Sequence, residues 1–231
     1  MPSPKESRIE DFAYPFLQSY YSNKYKGKNV YVFKAIKTKQ GTEVDGLFAF
    51  LSPENKICTA SLNTSYSTEI ASMLNNYKKN GLSKTRYITA VITAAISFLL
   101  LFQIAGIFIA AGAALVVAAT CFLIHSLLEK KFKVNKLRKI VSSFKQVPAD
   151  EKWVGLSMSS LNFRRNRLAE NFLALCRKNG IGVITVGQRA KVVLKQEPQQ
   201  VPCPAEDFLT YYESETVIRT AVLTNKVLKV A

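Results

Sequence analysis

The side chains that most often carry chemistry are scarce and widely spaced in this sequence. Its one histidine is His125. Its four cysteines never form close pairs: Cys58, Cys121, Cys176 and Cys203. Zinc sites need several cysteine or histidine ligands at short spacings, and Ser-His-Asp catalysis needs a histidine beside its nucleophile. The cysteine pattern is typical of reduced thiols in a cytosolic setting, and we expect neither a bound metal nor a cofactor.

Motifs for nucleotide and acyl chemistry are absent as well. The sequence contains no Walker loop, no G-x-G-x-x-G and no nucleophile elbow. Gly180 and Gly182 are followed by a predicted strand and not by a helix, so they do not form a dinucleotide-binding loop.

The sequence predicts a meander of three strands, and the second strand contains Asp45, the acidic residue considered below as a candidate for catalysis. Runs rich in β-branched and aromatic residues predict strands over 29–36, 43–51 and 57–62. The turns between them are short, which implies antiparallel pairing. Helical spacing of apolar residues predicts one helix before the meander, over 7–22, and another after it, over 67–79.

This order of helix, meander, helix and strand, with Asp45 in the second strand, resembles the restriction-endonuclease-like PD-(D/E)XK fold. The segment Glu43–Phe48 is similar to the first acidic motif of that superfamily, and the helix and strand over 164–186 are similar to its later helix–strand unit. The resemblance implies Mg²⁺-dependent phosphodiester hydrolysis. For this the family adds a second acid and a lysine at the end of the third strand.

The catalytic set that the resemblance implies is incomplete. At the end of the third strand stand Ser61 and Asn63, which are neither carboxylates nor lysines. A sequence of the form E-x-K does occur, as Glu54-Asn55-Lys56, but in the turn before that strand. A nuclease would therefore have to use Asp45, Glu54 and Lys56. We expect instead a solvated turn and a degenerate fold without catalysis.

The longest feature of the chain is an apolar run over residues 87–128 that contains no Asp, Glu, Lys or Arg. A spanning helix needs about 20 apolar residues. This run would form about 63 Å of helix, which suits two crossings better than one. Gln103 and Gly106 interrupt it, so the sequence predicts a two-helix transmembrane hairpin with arms over 87–103 and 106–128. A core hairpin of a soluble protein would keep a polar face, which this run lacks.

Basic residues flank the predicted hairpin on both sides and contribute much of the net charge of +16. They are Lys78, Lys79, Lys84, Arg86, Lys130, Lys131, Lys133, Lys136, Arg138 and Lys139. Positive flanks remain in the cytoplasm, so we expect a two-pass protein of a bacterial-type inner (cytoplasmic) membrane with both termini inside. A basic protein also suits nucleic acid. Because the densest charge adjoins the predicted span, anionic lipid headgroups are the preferred partner.

A second basic group lies on the helix predicted over 161–179. Its members are Arg164, Arg165, Arg167, Arg177 and Lys178. Such a group is either a solvated helix face or a surface that binds nucleic acid or an acidic protein. We favour the solvated face.

Together these patterns predict an α/β (α+β) cytoplasmic domain with an antiparallel meander and flanking helices, interrupted by the hairpin. Residues 1–86 and 129–231 are expected to form this domain jointly. We expect a non-catalytic adaptor or assembly subunit of a larger membrane-associated complex, such as a secretion or defence machine, with other protein subunits as partners. The alternatives are a membrane-tethered Mg²⁺-dependent nuclease and a membrane-tethered nucleic-acid-binding protein.

Overall fold

The fold is given by a computed structural model, which describes residues 9–25, 29–187, 190–203 and 207–224, apart from the side chain of Ala105. The chain divides into two compact units. The first comprises Met1–Asn75 and Arg138–Ala231, and the second comprises Asn76–Leu137. Ser7, the expected start of the first helix, lies outside the described residues.

Helices and strands alternate along the described chain much as the sequence predicts. The helices are α1 (Ile9–Lys24), α2 (Ser67–Asn80), α3 (Thr85–Ala105), α4 (Ile107–Gln146), α5 (Arg167–Lys178) and α6 (Glu215–Thr224). The strands are β1 (Val30–Lys37), β2 (Glu43–Leu51), β3 (Ile57–Asn63), β4 (Glu151–Ser157), β5 (Ile181–Val186) and β6 (Val192–Gln196). Short 3₁₀ turns occupy Ser160–Phe163 and Phe208–Tyr211.

Among the described residues, the six strands form one mixed sheet in the order β1-β2-β3-β4-β5-β6. The first three strands form the predicted antiparallel meander. β3, β4 and β5 run parallel, and β6 is antiparallel to β5. The chain on both sides of the apolar run thus contributes strands to the same sheet, which joins where Leu62 of β3 pairs with Trp153 of β4.

Alternating side chains of β2 divide the core of the first unit between the two faces of the sheet. On one face, Phe48 and Phe50 pack with α1 in a cluster that includes Trp153. On the other face, Leu47 and Ala49 pack in a cluster that β1, β2 and the C-terminal part of the chain form together. That cluster also contains Leu209, Tyr212, Ile218, Ala221 and Val222.

A buried polar chain links α1 to β4 beside this aromatic cluster. The Nε1 atom of Trp153 donates to the Tyr21 hydroxyl at 2.6 Å, and that hydroxyl donates to a carboxylate oxygen of Glu151 at 2.6 Å. Lys24 Nζ donates to the other oxygen of Glu151, also at 2.6 Å. Burial, and next the negative charge of Glu151, raise the pKa of Tyr21 well above its usual value. Tyr21 is therefore a hydrogen-bond donor that positions Glu151.

The second unit contains α3 and most of α4, joined at Gly106, whose φ of +77° explains why glycine stands there. Both helices are long and apolar enough to cross a membrane. Large apolar side chains point outward along both, including Ile96, Phe108 and Val116. The helices extend beyond the predicted arms, because α3 begins at Thr85 and α4 continues through its basic segment to Gln146.

Two predictions near the C-terminus need correction. The helix expected over 161–179 is interrupted, because the Asn166 side chain accepts hydrogen bonds from the backbone N–H groups of Leu168 and Ala169 and so begins α5 anew. The segment over 216–230, for which the sequence predicts either a β-prone stretch or a loosely docked tail, is helical as far as α6 extends, since its apolar residues recur at helical spacing and are buried. Residues 225–230 lie outside the described chain.

Candidate functional site

A cleft of about 280 Å³ lies beside Asp45, the acid that the resemblance to the restriction-endonuclease-like fold singles out. α1 supplies three of its lining residues, β1 supplies two, and β2 supplies Asp45 itself. The lining consists of Glu10, Asp11, Tyr14, Lys34, Ala35 and Asp45. Three carboxylates and one lysine therefore share a small open volume.

The carboxylate of Asp45 accepts hydrogen bonds from the segment that connects β3 with α2. Its Oδ2 atom accepts from the backbone N–H groups of Thr64 at 2.6 Å and Ser65 at 3.0 Å. The Ser65 hydroxyl lies 2.9 Å from Oδ2 and 3.1 Å from Oδ1. A carboxylate that accepts two backbone N–H bonds holds the backbone that donates them, and here the donors are two residues that precede α2. Asp45 thus holds the connection between β3 and α2 in place.

The other groups of the cleft are also bonded to the fold. The Thr64 hydroxyl donates to Glu10 at 2.7 Å, and the Tyr14 hydroxyl donates to the backbone carbonyl of Asp45. Lys34 Nζ lies 5.3 Å from the centre of the Tyr14 ring. Burial, followed by the nearby carboxylates, raises the pKa of Tyr14 to about 12, so this phenol stays protonated at neutral pH. It acts as a donor here and not as a base.

Glu54 and Lys56 do not join Asp45 in this cleft. They form an exposed ion pair of 3.6 Å in the turn between β2 and β3, where Asn55 has a φ of +59°. Asp45 is near the start of β2 and this turn follows its end, so at about 3.3 Å per residue they are separated by about 20 Å. The three residues that a nuclease would need are therefore not assembled.

The end of β3 provides no substitute for the missing charges. Ser61 and Asn63 are both buried, and neither Ser61 Oγ nor Asn63 Nδ2 has a hydrogen-bond partner. Within the described ranges, no group of three or more His, Cys, Asp or Glu residues is arranged to hold a metal ion. Mg²⁺ prefers several oxygen ligands that include carboxylates, and the hydrogen bonds to Asp45 already occupy much of its capacity.

The basic flank residues lie at the ends of the long apolar helices. Lys78 and Lys79 are in the last turn of α2, Lys84 precedes α3, and Arg86 is in its first turn. The remaining six all lie on α4: Lys130, Lys131, Lys133, Lys136, Arg138 and Lys139. Lys133 pairs with Glu129 at 3.3 Å.

The second basic group is divided by the break before α5. Arg164 and Arg165 precede the helix, Arg167 is its first residue, and Arg177 and Lys178 are in its last turn. Ten residues of helix separate Arg167 from Arg177 by about 15 Å. Exposed basic residues therefore lie at both ends of α5 and do not form one continuous helix face.

Two features of the first unit escaped sequence reasoning. The buried Glu151 follows the acid Asp150 and precedes Lys152, a pattern that resembles a solvated strand end, and only the fold shows its contacts with Tyr21 and Lys24. A second cleft, of about 350 Å³, opens where β4 and β5 end. It is lined by Ile9, Phe12, Asn75, Ser157, Met158, Ser159, Asn162, Val186 and Gly187, none of which is charged.

No family model matches the chain. No curated protein and no solved structure matches it either.

Proposed function

We propose that this chain is a membrane-anchored, non-catalytic adaptor or assembly subunit of a larger membrane-associated protein complex. The observation that carries the proposal is the outward-facing apolar surface of α3 and α4. Soluble proteins rarely leave apolar patches of this extent facing water. Insertion into a bilayer removes the apolar side chains of both helices from water. It leaves no unpaired backbone group in lipid, because every backbone group inside the helices is bonded within its own helix.

The orientation follows from the charges. Basic residues precede α3 and continue α4, so the proposal places both termini in the cytoplasm of a bacterial-type cell, with the hairpin in the inner membrane. The flanks then lie against anionic headgroups, which attract each Lys or Arg by about 1 kcal/mol.

The sheet unit serves in this proposal as a docking module with a degenerate nuclease-like topology. The supporting observation is the state of Asp45, whose carboxylate holds the connection between β3 and α2, while the end of β3 offers neither the second acid nor the lysine of the nuclease motif. The nuclease alternative would need a second acid and a lysine at that strand end, together with Asp45. The nucleic-acid-binding alternative would have to use basic residues that lie at separate ends of α5.

The substitution Asp45→Ala distinguishes a structural from a catalytic role. It removes the acceptor of two backbone N–H groups and of the Thr64 and Ser65 hydroxyls, so we expect it to lower the free energy of unfolding by about 2–3 kcal/mol. Urea denaturation of the detergent-solubilised protein measures this. Asp11→Ala is the matched control, because Asp11 is an exposed carboxylate of the same cleft.

The same pair of variants tests nuclease activity with single- and double-stranded DNA and RNA in the presence of Mg²⁺. We expect no cleavage by the wild-type protein or by either variant. Cleavage by the wild type that disappears in Asp45→Ala, while the stability of that variant stays unchanged, would overturn the non-catalytic role.

A further inference from the structure

Arg86 occupies a defined position where α3 begins, one residue before the uncharged run. Its guanidinium carbon lies 4.9 Å from the centre of the Tyr87 ring and 5.1 Å from that of Phe122 on α4. The two rings are themselves 5.3 Å apart. Aromatic faces attract a guanidinium, so this pair of rings holds the charge in one place.

The hydrogen-bonding capacity of Arg86 is largely unused. A guanidinium has five N–H donors. One of them, on Nη2, meets the Tyr87 hydroxyl at 3.2 Å, and Nε is buried without a partner. No carboxylate forms an ion pair with Arg86 within the described part of the chain.

The nearest acid along either arm is engaged elsewhere. Glu129 accepts the backbone N–H of Ser83 on both of its oxygens, at 2.8 and 2.9 Å, and it pairs with Lys133. The first turn of α3 contains no acidic residue. His125, four residues before Glu129, lies 3.4 Å from the hydroxyls of Thr85 and Thr89. These contacts fix the arms against each other and leave Arg86 without a counterion among the described residues.

We propose that Arg86, held by Tyr87 and Phe122, binds the phosphate of an anionic phospholipid. A guanidinium matches two phosphate oxygens with two parallel N–H bonds, which an ammonium group cannot do. Residues at the end of a membrane-spanning apolar run lie at the depth of the headgroups, where aromatic side chains also concentrate. The inference rests on the proposed membrane insertion and adds one specific lipid site to the general attraction of the basic flanks.

The proposal differs from charge attraction alone in the variants that it singles out. If only charge mattered, Arg86→Lys would change nothing, and removal of any neighbouring lysine would weaken lipid binding slightly. A built site predicts that Arg86→Lys weakens lipid binding more than the loss of a neighbouring lysine does. Lys84→Gln is the matched control, because Lys84 lies two residues away, precedes the same helix and takes no part in the ring contacts.

The test is native mass spectrometry of the full-length protein in detergent, titrated with palmitoyl-oleoyl phosphatidylglycerol or phosphatidylcholine. We expect one tightly held phosphatidylglycerol, bound more strongly than phosphatidylcholine. Arg86→Lys should weaken that binding by about tenfold although it keeps the charge, and Lys84→Gln, which removes one charge of the basic flank, by no more than about fivefold. Equal binding by Arg86→Lys and the wild type, or an equal loss in both variants, would overturn the site.

Two further experiments distinguish a failure of the lipid site from a failure of the proposed membrane function. Soluble glycerol phosphate should not displace the bound lipid. Displacement at a comparable concentration would show a site for a free phosphate ester instead. Flotation with vesicles of phosphatidylcholine alone tests membrane insertion independently of Arg86. If the wild type fails to float, the proposed membrane function fails. If it floats while Arg86→Lys retains full lipid binding, only the lipid site fails.

Discussion

Replacement of Ile96 and Val116 by arginine is expected to release this protein from membranes. The two side chains are 54% and 66% exposed and lie near the middle of the apolar segments of α3 and α4. An arginine at the centre of a membrane helix costs about 2.5–3.5 kcal/mol on insertion scales. The two together therefore oppose insertion by about 6 kcal/mol. Vesicle flotation separates inserted protein from aggregates, which stay at the bottom of the gradient.

The matched control places the same charges on exposed apolar residues of the other unit. Leu161 and Leu223 are 64% and 58% exposed but lie outside the two apolar helices. Leu161→Arg with Leu223→Arg should float like the wild type. If the hairpin variant also floats in full, α3 and α4 do not lie in the hydrocarbon, and the anchoring role is wrong.

Trp153→Ala is expected to lower the free energy of unfolding of the sheet unit by about 3–5 kcal/mol, the usual cost of removing a buried tryptophan. Trp153 is fully buried, contacts the Tyr20 and Tyr21 rings, and donates to the Tyr21 hydroxyl. A side chain at Gly182 would meet the indole at 2.6 Å, so the ring fills its space completely. The loss therefore leaves a large cavity at the junction of the two chain segments.

Hydrogen exchange shows whether the loss of stability in Trp153→Ala extends from β4 and β5 to the strands that precede the apolar run. Because Trp153 connects β4 with α1, the Trp153→Ala variant should lose amide protection in β2 as well as in β4 and β5. Trp153→Phe keeps most of the packing and loses one hydrogen bond, so it should cost about 1–2 kcal/mol. If β4 and β5 lose protection while β1, β2 and β3 keep theirs, the segments before and after the hairpin fold separately.

The strands were predictable because the residue types along each segment agree with the structure that the segment adopts. β2 has the bounds predicted for it, since its apolar and aromatic residues end at the turn that follows Leu51. The long apolar helices were predictable for a similar reason, because a run without charges admits few other structures. Local composition could not show that α3 begins at Thr85, two residues before the uncharged run, because helix ends are defined only to within one or two residues and the Lys84 side chain forms no cap bond.

The contacts that decide the chemistry were not readable in the same way. The position of Asp45 in β2 was correct, but the hydrogen bonds of its carboxylate come from Thr64 and Ser65, which only the turn into α2 brings close. The burial of Glu151 depends on a helix far away in sequence. The interruption before α5 occurs because the Asn166 side chain bonds the backbone N–H groups that follow it and so caps a new helix instead of continuing the previous turn. Each is a long-range or competing interaction that a pattern of residue types does not specify.

The proposed adaptor role is most directly tested by the mass of the protein after gentle detergent extraction of the cells that make it. Size-exclusion chromatography with light scattering, followed by mass spectrometry of the same peak, gives the protein mass and the composition of the particle. The adaptor role predicts a particle well above the chain mass of 25.8 kDa, with other membrane-complex subunits in fixed ratio. A chain that elutes alone and monomeric, from membranes and detergents in which other complexes remain intact, would contradict it.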